Sequence, residues 1–213
     1  MNIQPATRIV LFVGHLVPVK GPDILLQAWA RLQRSLAPAR PHAHTPTLLL
    51  LGDGPMRGRL ERQARDLGVA DTVQFLGSRP HEEVALWMNV ADCLCLPSRA
   101  EGMPNVVLEA LGAGLPIVAT DVGAVLELLE GEPEARVVRT EVSGQKPVVS
   151  SERLESAIAA ALAEVLGKSV GREAMAERHA TVRTWREQAE EIVRLIGGQG
   201  EASRAPLRAR GQA

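Results

Sequence analysis

Short apolar runs alternate with longer amphipathic stretches over the first half of the chain. Four early runs are rich in Val, Leu and Ile, and each precedes turn residues and then helical periodicity; they span residues 8–14, 47–52, 72–77 and 92–97. Their hydrophobicity is continuous rather than alternating, which is typical of strands buried on both faces. The pattern predicts a parallel sheet covered by helices.

The intervening segments carry apolar residues at helical spacing. The two clearest sets are Leu25, Trp29, Leu32 and Leu36, and then Met56, Leu60, Ala64 and Leu67. A further helix is expected to open at Pro104, because proline is favoured at the first helical position, and to stop at glycines 112 and 114. A fifth strand is predicted at 116–120, a weaker sixth at 135–139, and later helices from Ser151 and around Trp185.

This order predicts an α/β fold with a Rossmann-like, doubly wound parallel sheet, because right-handed crossovers and short connections leave few other topologies. Such sheets bind ligands at the carboxyl ends of their strands, near the topological switch point. Functional residues are therefore expected in the turns that follow the strands, at 14–21, 52–55, 77–80 and 98–105.

The chain has 213 residues, enough for one large domain or one domain with an appendage. With 46% hydrophobic and 23% charged residues its composition is that of an ordinary globular protein. We predict an N-terminal extension at 1–7, one domain at 8–196, and a disordered tail at 197–213 that is rich in Gly, Arg and Ala.

The formal net charge is −1, so the strong basic field of a nucleic-acid binder is absent and no nucleic-acid partner is expected. No apolar stretch is long enough for a membrane-spanning helix and no secretory signal is recognised at the N-terminus. A cytoplasmic location is expected, with any membrane contact peripheral, at the inner face of the membrane. Cys93 and Cys95 lie in an apolar run and are interpreted as reduced core residues rather than a metal or redox pair.

Two features have a chemical and an ordinary interpretation. His42 and His44 resemble half of a metal site, but they lie in a Pro-rich segment, interpreted as a surface loop, without a third ligand nearby, and no metal site is predicted. The second feature is a helix with Arg57, Arg59, Arg62 and Arg65. It suits either an anionic lipid surface or, given the interleaved acids, a solvated face.

The first turn, residues 14–21, is bracketed by glycines and carries Lys20 directly before a helix. Glycines allow close backbone approach, the helix N-terminus offers free N–H groups, and a lysine adds a positive charge, so the turn suits an anion. A helix-starting loop with an exposed lysine accounts for the same residues equally well.

Glu101 and Glu109 lie eight positions apart around a glycine turn and a helix start. The arrangement would place an anion at the helix N-terminus with a carboxylate on each side to accept hydrogen bonds from hydroxyl groups. A sugar phosphate or nucleotide sugar has these groups. A surface acid and a first-turn helix acid are the ordinary alternative.

Six motifs occur in order over about 110 residues. They are Phe12-Val13-Gly14 with Lys20-Gly21, Gly52-Asp53-Gly54-Pro55, Val73-Gln74-Phe75-Leu76-Gly77, Leu96-Pro97-Ser98, Glu101-Gly102-Met103-Pro104-Asn105 with Glu109-Ala110, and Gly114-Leu115-Pro116-Ile117-Val118-Ala119. Together they resemble the donor-binding, C-terminal domain of the family 4 glycosyltransferases, which have the two-lobed GT-B fold. Glu101 and Glu109 match the E-x7-E motif of that family.

The resemblance implies a retaining, metal-independent transferase without a cofactor, whose substrate is a nucleotide diphosphate sugar, most simply a UDP-sugar. Glu101 would contact the transferred sugar, Glu109 the ribose, and Lys20 the diphosphate, while Glu101, Lys20 and His15 would form the catalytic group. The remaining donor-binding residues implied by the family pattern are Gly14, Arg79, Gly102, Met103, Pro104, Asn105 and Val106. A non-catalytic nucleotide-sugar-binding module, or half of a GT-B epimerase or phosphorylase, remains the alternative.

The chain departs from the family pattern in three places. His15 stands where the family usually has an arginine, and a neutral imidazole lacks the forked cation of a guanidinium. The segment 130–148 lacks the usual glycine-rich loop. The first strand begins at residue 8, so we expect the acceptor-binding lobe to come from a missing N-terminal region or a separate chain, and this chain alone to be inactive.

Overall fold

The computed structural model describes residues 7–36, 45–140 and 150–168. Within them, six strands form one sheet in the order β3-β2-β1-β4-β5-β6, and every neighbouring pair is parallel. The strands are β1 (Ile9–Val13), β2 (Thr47–Leu51), β3 (Val73–Gly77), β4 (Cys93–Leu96), β5 (Ile117–Thr120) and β6 (Arg136–Val138). The predicted Rossmann-like, doubly wound sheet is confirmed.

Within the described ranges, six α-helices connect or follow these strands. They are α1 (Pro22–Leu36), α2 (Arg57–Asp66), α3 (His81–Val90), α4 (Asn105–Gly112), α5 (Val125–Leu128) and α6 (Ser151–Gly167). The start of α4 differs by one residue from the prediction, because Pro104 has an extended backbone (ψ 93°) and precedes the helix. The four-residue helix α5 was not predicted, since one helical turn is too short to show a periodic pattern.

The helices cover both faces of the sheet, as the continuous apolar strands require. Alternate residues of β1 point to opposite faces: Val10 and Phe12 pack in one cluster with α1, α2 and α6, whereas Leu11 packs in the other with α3 and α4. Cys93 and Cys95 are fully or almost fully buried in the first cluster, and burial raises the pKa of both thiols well above its usual range. Their burial confirms their interpretation as core residues, and both are free cysteines.

The strand order places the switch point between β1 and β4, because the connections from these two central strands lead to opposite halves of the sheet. The turn after β1 and the turn after β4 therefore lie side by side at the carboxyl edge. None of the helices in the described ranges is long and apolar enough to cross a membrane. The predicted helix around Trp185, the C-terminal tail, His42 and His44 lie outside the described residues, as does nearly all of the N-terminal extension.

Candidate functional site

Main-chain hydrogen bonds join the turns that follow the first three strands. The Gly14 N–H donates to the Leu51 carbonyl over 2.9 Å, and the Gly52 N–H donates to the Gly77 carbonyl over 2.9 Å. Gly52 has a φ of 134°, and a Cβ there would collide with the Gly14 carbonyl oxygen. The close approach of these turns is therefore possible only with glycine at position 52.

Lys20 and Glu101 form an ion pair at the switch point. The Lys20 Nζ donates to both carboxylate oxygens of Glu101, at 2.8 Å each. The Glu101 side chain is 6% exposed and that of Lys20 is 32% exposed. The structure thus brings together two residues that the sequence placed in separate turns, and it makes each the charge partner of the other.

A buried hydroxyl group also contacts Glu101. Ser98 is fully buried, and its Oγ donates to the Glu101 Oε1 over 2.6 Å. The Ser98 carbonyl in turn accepts a 2.6 Å hydrogen bond from the Thr120 Oγ1, at the end of β5. Glu101 is therefore held by the partly exposed Lys20 on one side and by the buried Ser98 on the core side.

A second ion pair fixes the short 3-10 turn, Pro18–Lys20, that carries the lysine. Both Arg99 terminal nitrogens donate to the Asp23 carboxylate at 2.8 Å, and one also donates to the Pro18 carbonyl. Burial opposes ionisation of Asp23, but the hydrogen bonds and charge of Arg99 lower its pKa below the usual value. Gly21 follows the turn with a φ of 66°, and a Cβ there would collide with the Pro97 carbonyl oxygen. The turn thus packs directly on the backbone of the neighbouring loop.

The N-terminus of α4 opens onto the same loop. The N–H groups of Asn105 and Val106 have no partner within the helix, and the residue at the N-cap position, Pro104, makes no side-chain capping hydrogen bond. The Val107 N–H donates to the Pro104 carbonyl over 2.9 Å. Asn105 and Gly102 are exposed, Val106 is half-buried, and Met103 is 60% exposed. The Gly102 carbonyl accepts a hydrogen bond from the Ala124 N–H over 3.1 Å, which fixes the loop on its β5 side. This end of α4 can accept an anion beside Lys20.

Glu109 lies one turn further along α4, near the start of α3. The Nε2 of the exposed His81 lies 3.9 Å from the Glu109 Oε1. Burial raises the Glu109 pKa above its usual value, and the charge of His81 acts in the opposite direction. Arg79, two residues before His81, donates from its Nε to the Leu76 carbonyl over 3.0 Å, so its side chain folds back on the end of β3.

His15 is exposed after β1 and makes no side-chain hydrogen bond or ion pair within the described ranges. The structure places it at the carboxyl edge with the other predicted residues, but no contact joins it to Lys20 or Glu101. No group of three or more His, Cys, Asp or Glu side chains in the described part of the chain is arranged to hold a metal ion.

A cleft of about 490 Å³ lies between α1, α2, the start of α6 and Arg99, and neither Lys20 nor Glu101 lines it. Its charged lining consists of Arg59, Arg62, Arg99, Asp23, Asp66 and Glu155. The formal charges of these three arginines and three acids cancel. Arg57, which lies on α2 with Arg59 and Arg62, pairs with Asp53 and Glu61. These charges favour the solvated-face interpretation of α2 over a lipid-binding surface.

Sequence reasoning did not identify Ser98, His81 or the Arg99–Asp23 pair. Ser98 lies in one of the six motifs, three residues before Glu101. Two side chains this close in sequence can contact each other within a single loop, and this spacing was the available signal. The other contacts join residues 28 to 76 positions apart, and no local pattern indicates them.

Comparison with known proteins matches this chain to glycosyltransferases. The family described as "Glycosyl transferases group 1" matches residues 7–168. The D-inositol 3-phosphate glycosyltransferase of Corynebacterium urealyticum is 33% identical over 221 residues, covering 97% of this chain and 48% of that protein. The GDP-mannose-dependent alpha-(1-6)-phosphatidylinositol monomannoside mannosyltransferase of Mycolicibacterium smegmatis is 31% identical, over 92% of this chain and 50% of that protein.

Among solved structures, WaaG, a glycosyltransferase involved in lipopolysaccharide biosynthesis, superimposes with a TM-score of 0.69 at 28% identity. The match covers 92% of this chain and 48% of WaaG. These matches cover nearly all of this chain but only about half the length of each relative. The family match extends over most of the chain, and the parallel sheet has the Rossmann-like architecture of a GT-B lobe. The chain therefore belongs to the group 1 glycosyl transferases.

Proposed function

We propose that this chain is the donor-binding, C-terminal lobe of a retaining, metal-independent glycosyltransferase. The observation that carries the proposal is the Lys20–Glu101 pair at the switch point, beside the uncapped N-terminus of α4. Near the bond that is broken, a nucleotide diphosphate sugar presents a phosphate charge, phosphate oxygens and sugar hydroxyls. The lysine suits the charge, the N–H groups of the helix end suit the phosphate oxygens, and the carboxylate suits the sugar hydroxyls.

Each residue has a proposed role. Lys20 and the first N–H groups of α4 bind the diphosphate, and Glu101 accepts hydrogen bonds from hydroxyls of the transferred sugar. Glu109 accepts hydrogen bonds from the ribose, and the backbone near Arg79 contacts the base. His15, exposed on the first turn, contributes its charge to the diphosphate only when protonated.

In the proposed reaction the bond between the anomeric carbon and the diphosphate oxygen breaks, and its electron pair leaves with the diphosphate. The acceptor hydroxyl oxygen bonds to the anomeric carbon and loses its proton, so the products are the glycosylated acceptor, the nucleoside diphosphate and one proton. Negative charge grows on the leaving diphosphate in the transition state. The helix end and Lys20, once its ammonium group has turned from Glu101 to the diphosphate, stabilise this charge.

The acceptor site lies, in this proposal, on a second lobe from outside this sequence or from another chain, and membrane contact is made through that lobe. The half-length match to the relatives supports this arrangement. The chain alone then binds a donor without transferring its sugar, because half of the water-excluding cleft is supplied by the other lobe. A UDP-sugar is the proposed donor, and no cofactor or metal is required.

Calorimetric titration of the purified chain with UDP-, GDP- and ADP-sugars tests the proposal. One class is expected to bind, and Lys20→Ala is expected to weaken it about tenfold or more through loss of a charged hydrogen bond. Lys168→Ala is the matched control, because Lys168 also pairs with a glutamate but lies at the far end of α6. His15→Arg is expected to tighten diphosphate binding by restoring a forked, permanent cation. Absence of binding to all three classes, or equal effects of the two lysine variants, would contradict the proposal.

A further inference from the structure

The Lys20–Glu101 contact cannot be the whole support of Glu101 when a donor is bound. Lys20 has one ammonium group, which donates to both oxygens of Glu101 in the structure. In the proposed complex that ammonium turns toward the diphosphate, and the carboxylate loses part of its restraint. Another group must then hold Glu101 in the orientation that meets the sugar hydroxyls.

Ser98 is the residue placed to do so. Its hydroxyl group donates to Oε1 of Glu101 over 2.6 Å, on the core side of the carboxylate. Ser98 is fully buried, so water does not compete for this hydrogen bond. A hydrogen bond to a charged acceptor at this length is among the stronger ones in proteins.

The position of Ser98 is itself fixed from the core. Its carbonyl accepts the 2.6 Å hydrogen bond from the Thr120 hydroxyl, and Thr120 is also fully buried. That hydroxyl has a second, longer contact of 3.3 Å with the Leu96 carbonyl, the last residue of β4. Thr120, Ser98 and Glu101 thus form a continuous connection from the end of β5 to the Glu101 carboxylate, and neither of its two hydrogen bonds involves Lys20.

We infer that Ser98 is a positioning residue that orients the Glu101 carboxylate toward the transferred sugar while Lys20 is engaged with the diphosphate. The inference rests on the proposed function, since it requires that Glu101 meets the sugar. Ser98 acts through Glu101 and has no contact of its own with the donor. Its effect is therefore confined to the sugar part of the ligand.

The test compares the dissociation constants of a nucleoside diphosphate and of its sugar conjugate, using whichever of UDP and UDP-glucose, GDP and GDP-mannose, or ADP and ADP-glucose binds the unmodified chain. Ser98→Ala is expected to weaken the binding of the sugar conjugate about tenfold relative to that of the nucleoside diphosphate, which changes the ratio of the two constants. This is the effect of losing one charged hydrogen bond. The affinity for the nucleoside diphosphate is expected to stay within about twofold. A purely structural role would weaken both ligands together.

Two further variants separate positioning from folding. Thr72→Val removes another hydroxyl, one that accepts a 3.0 Å hydrogen bond from the Trp29 indole at the opposite edge of the sheet, and is expected to leave the ratio unchanged. In a Glu101→Ala background, Ser98→Ala is expected to have no further effect on the ratio. Should Ser98→Ala fail to fold, Ser98→Cys replaces it, with a smaller shift in the same direction because the thiol is a weaker donor.

An unchanged ratio in Ser98→Ala, or the same shift with and without Glu101, would overturn the inference while the proposed function stands. Failure of the unmodified chain to bind any of the three pairs would instead contradict the proposed function. The two failures are therefore distinguished by the first titration.

Discussion

Replacing Glu101 by glutamine is expected to tighten the binding of a nucleoside diphosphate that carries no sugar. In the structure the Lys20 ammonium is held at 2.8 Å by both oxygens of a nearly buried carboxylate. A diphosphate that recruits Lys20 must first weaken this pair, so the free energy of the pair opposes binding. Glutamine keeps the shape and one acceptor but removes the charge.

The magnitude follows from the difference between charged and neutral hydrogen bonds. A hydrogen bond to a charged group contributes roughly 1.5–3 kcal/mol, and a neutral one roughly 0.5–1.5 kcal/mol. The difference, about 1 kcal/mol, corresponds to an affinity about fivefold tighter for the nucleoside diphosphate. The sugar conjugate is expected to gain less or to lose affinity, because the amide is a poorer acceptor for the sugar hydroxyls.

Isothermal titration of both ligands into the unmodified chain and into Glu101→Gln measures the effect. Glu61→Gln is the matched control, since Glu61 also pairs with a basic residue, Arg57, at 3.0 Å, but on the exposed face of α2. If Glu101→Gln binds the nucleoside diphosphate with unchanged or weaker affinity while remaining folded, Lys20 does not exchange partners and the reasoning is refuted.

Two further predictions concern pH and the backbone. Glu109 binds the ribose as a carboxylate, and its pKa is raised above 4.5, so ribose binding is expected to weaken as the pH falls through that raised pKa. The charge of His81 lowers this pKa. His81→Gln removes that charge and is therefore expected to move the loss of binding to higher pH. The affinity for a nucleotide sugar, which lacks the phosphate ionisation near pH 6, is measured as a function of pH for both proteins. If the affinity falls at the same acidic pH in His81→Gln as in the unmodified chain, the prediction is contradicted. Gly21→Ala is expected to destabilise the fold by more than about 1 kcal/mol in urea unfolding, because its Cβ meets the Pro97 carbonyl oxygen at a positive φ. Gly58→Ala, at a helical position with open space, is expected to stabilise by about 1 kcal/mol, and similar effects of both would refute the role given to Gly21.

The sheet was predictable because its strands are buried on both faces, and short continuous runs of Val, Leu and Ile between turn residues are typical of such strands. The boundaries that were missed belong to short elements. Helix α5 has only four residues, and the single-residue difference at Pro104 depends on one backbone angle. Such details are decided by contacts with the rest of the fold rather than by periodicity.

The candidate site was predictable as separate residues but not as a network. Spacing and the family resemblance led to Lys20, Glu101 and Glu109, each within a local motif. That Lys20 bonds to Glu101, 81 positions later, follows from the strand order, which brings the turns after β1 and β4 together. Arg99 meets Asp23 for the same reason. Only the topology shows which charges compensate each other.

The hydrogen bonds among the first three turns have a consequence for how this family can diversify. Those turns are joined by main-chain groups, at Gly14, Gly52 and Gly77, so that, as long as position 52 stays glycine, these hydrogen bonds do not require particular side chains elsewhere in the turns. The Lys20–Glu101 contact, in contrast, joins the turn after β1 to the turn after β4 through two side chains and depends on both. Substitutions at the non-glycine positions of these turns, other than Lys20, alter the side chains presented to a ligand while these main-chain hydrogen bonds persist. The residues that contact a ligand can therefore vary at these positions without disturbing the Lys20–Glu101 pair.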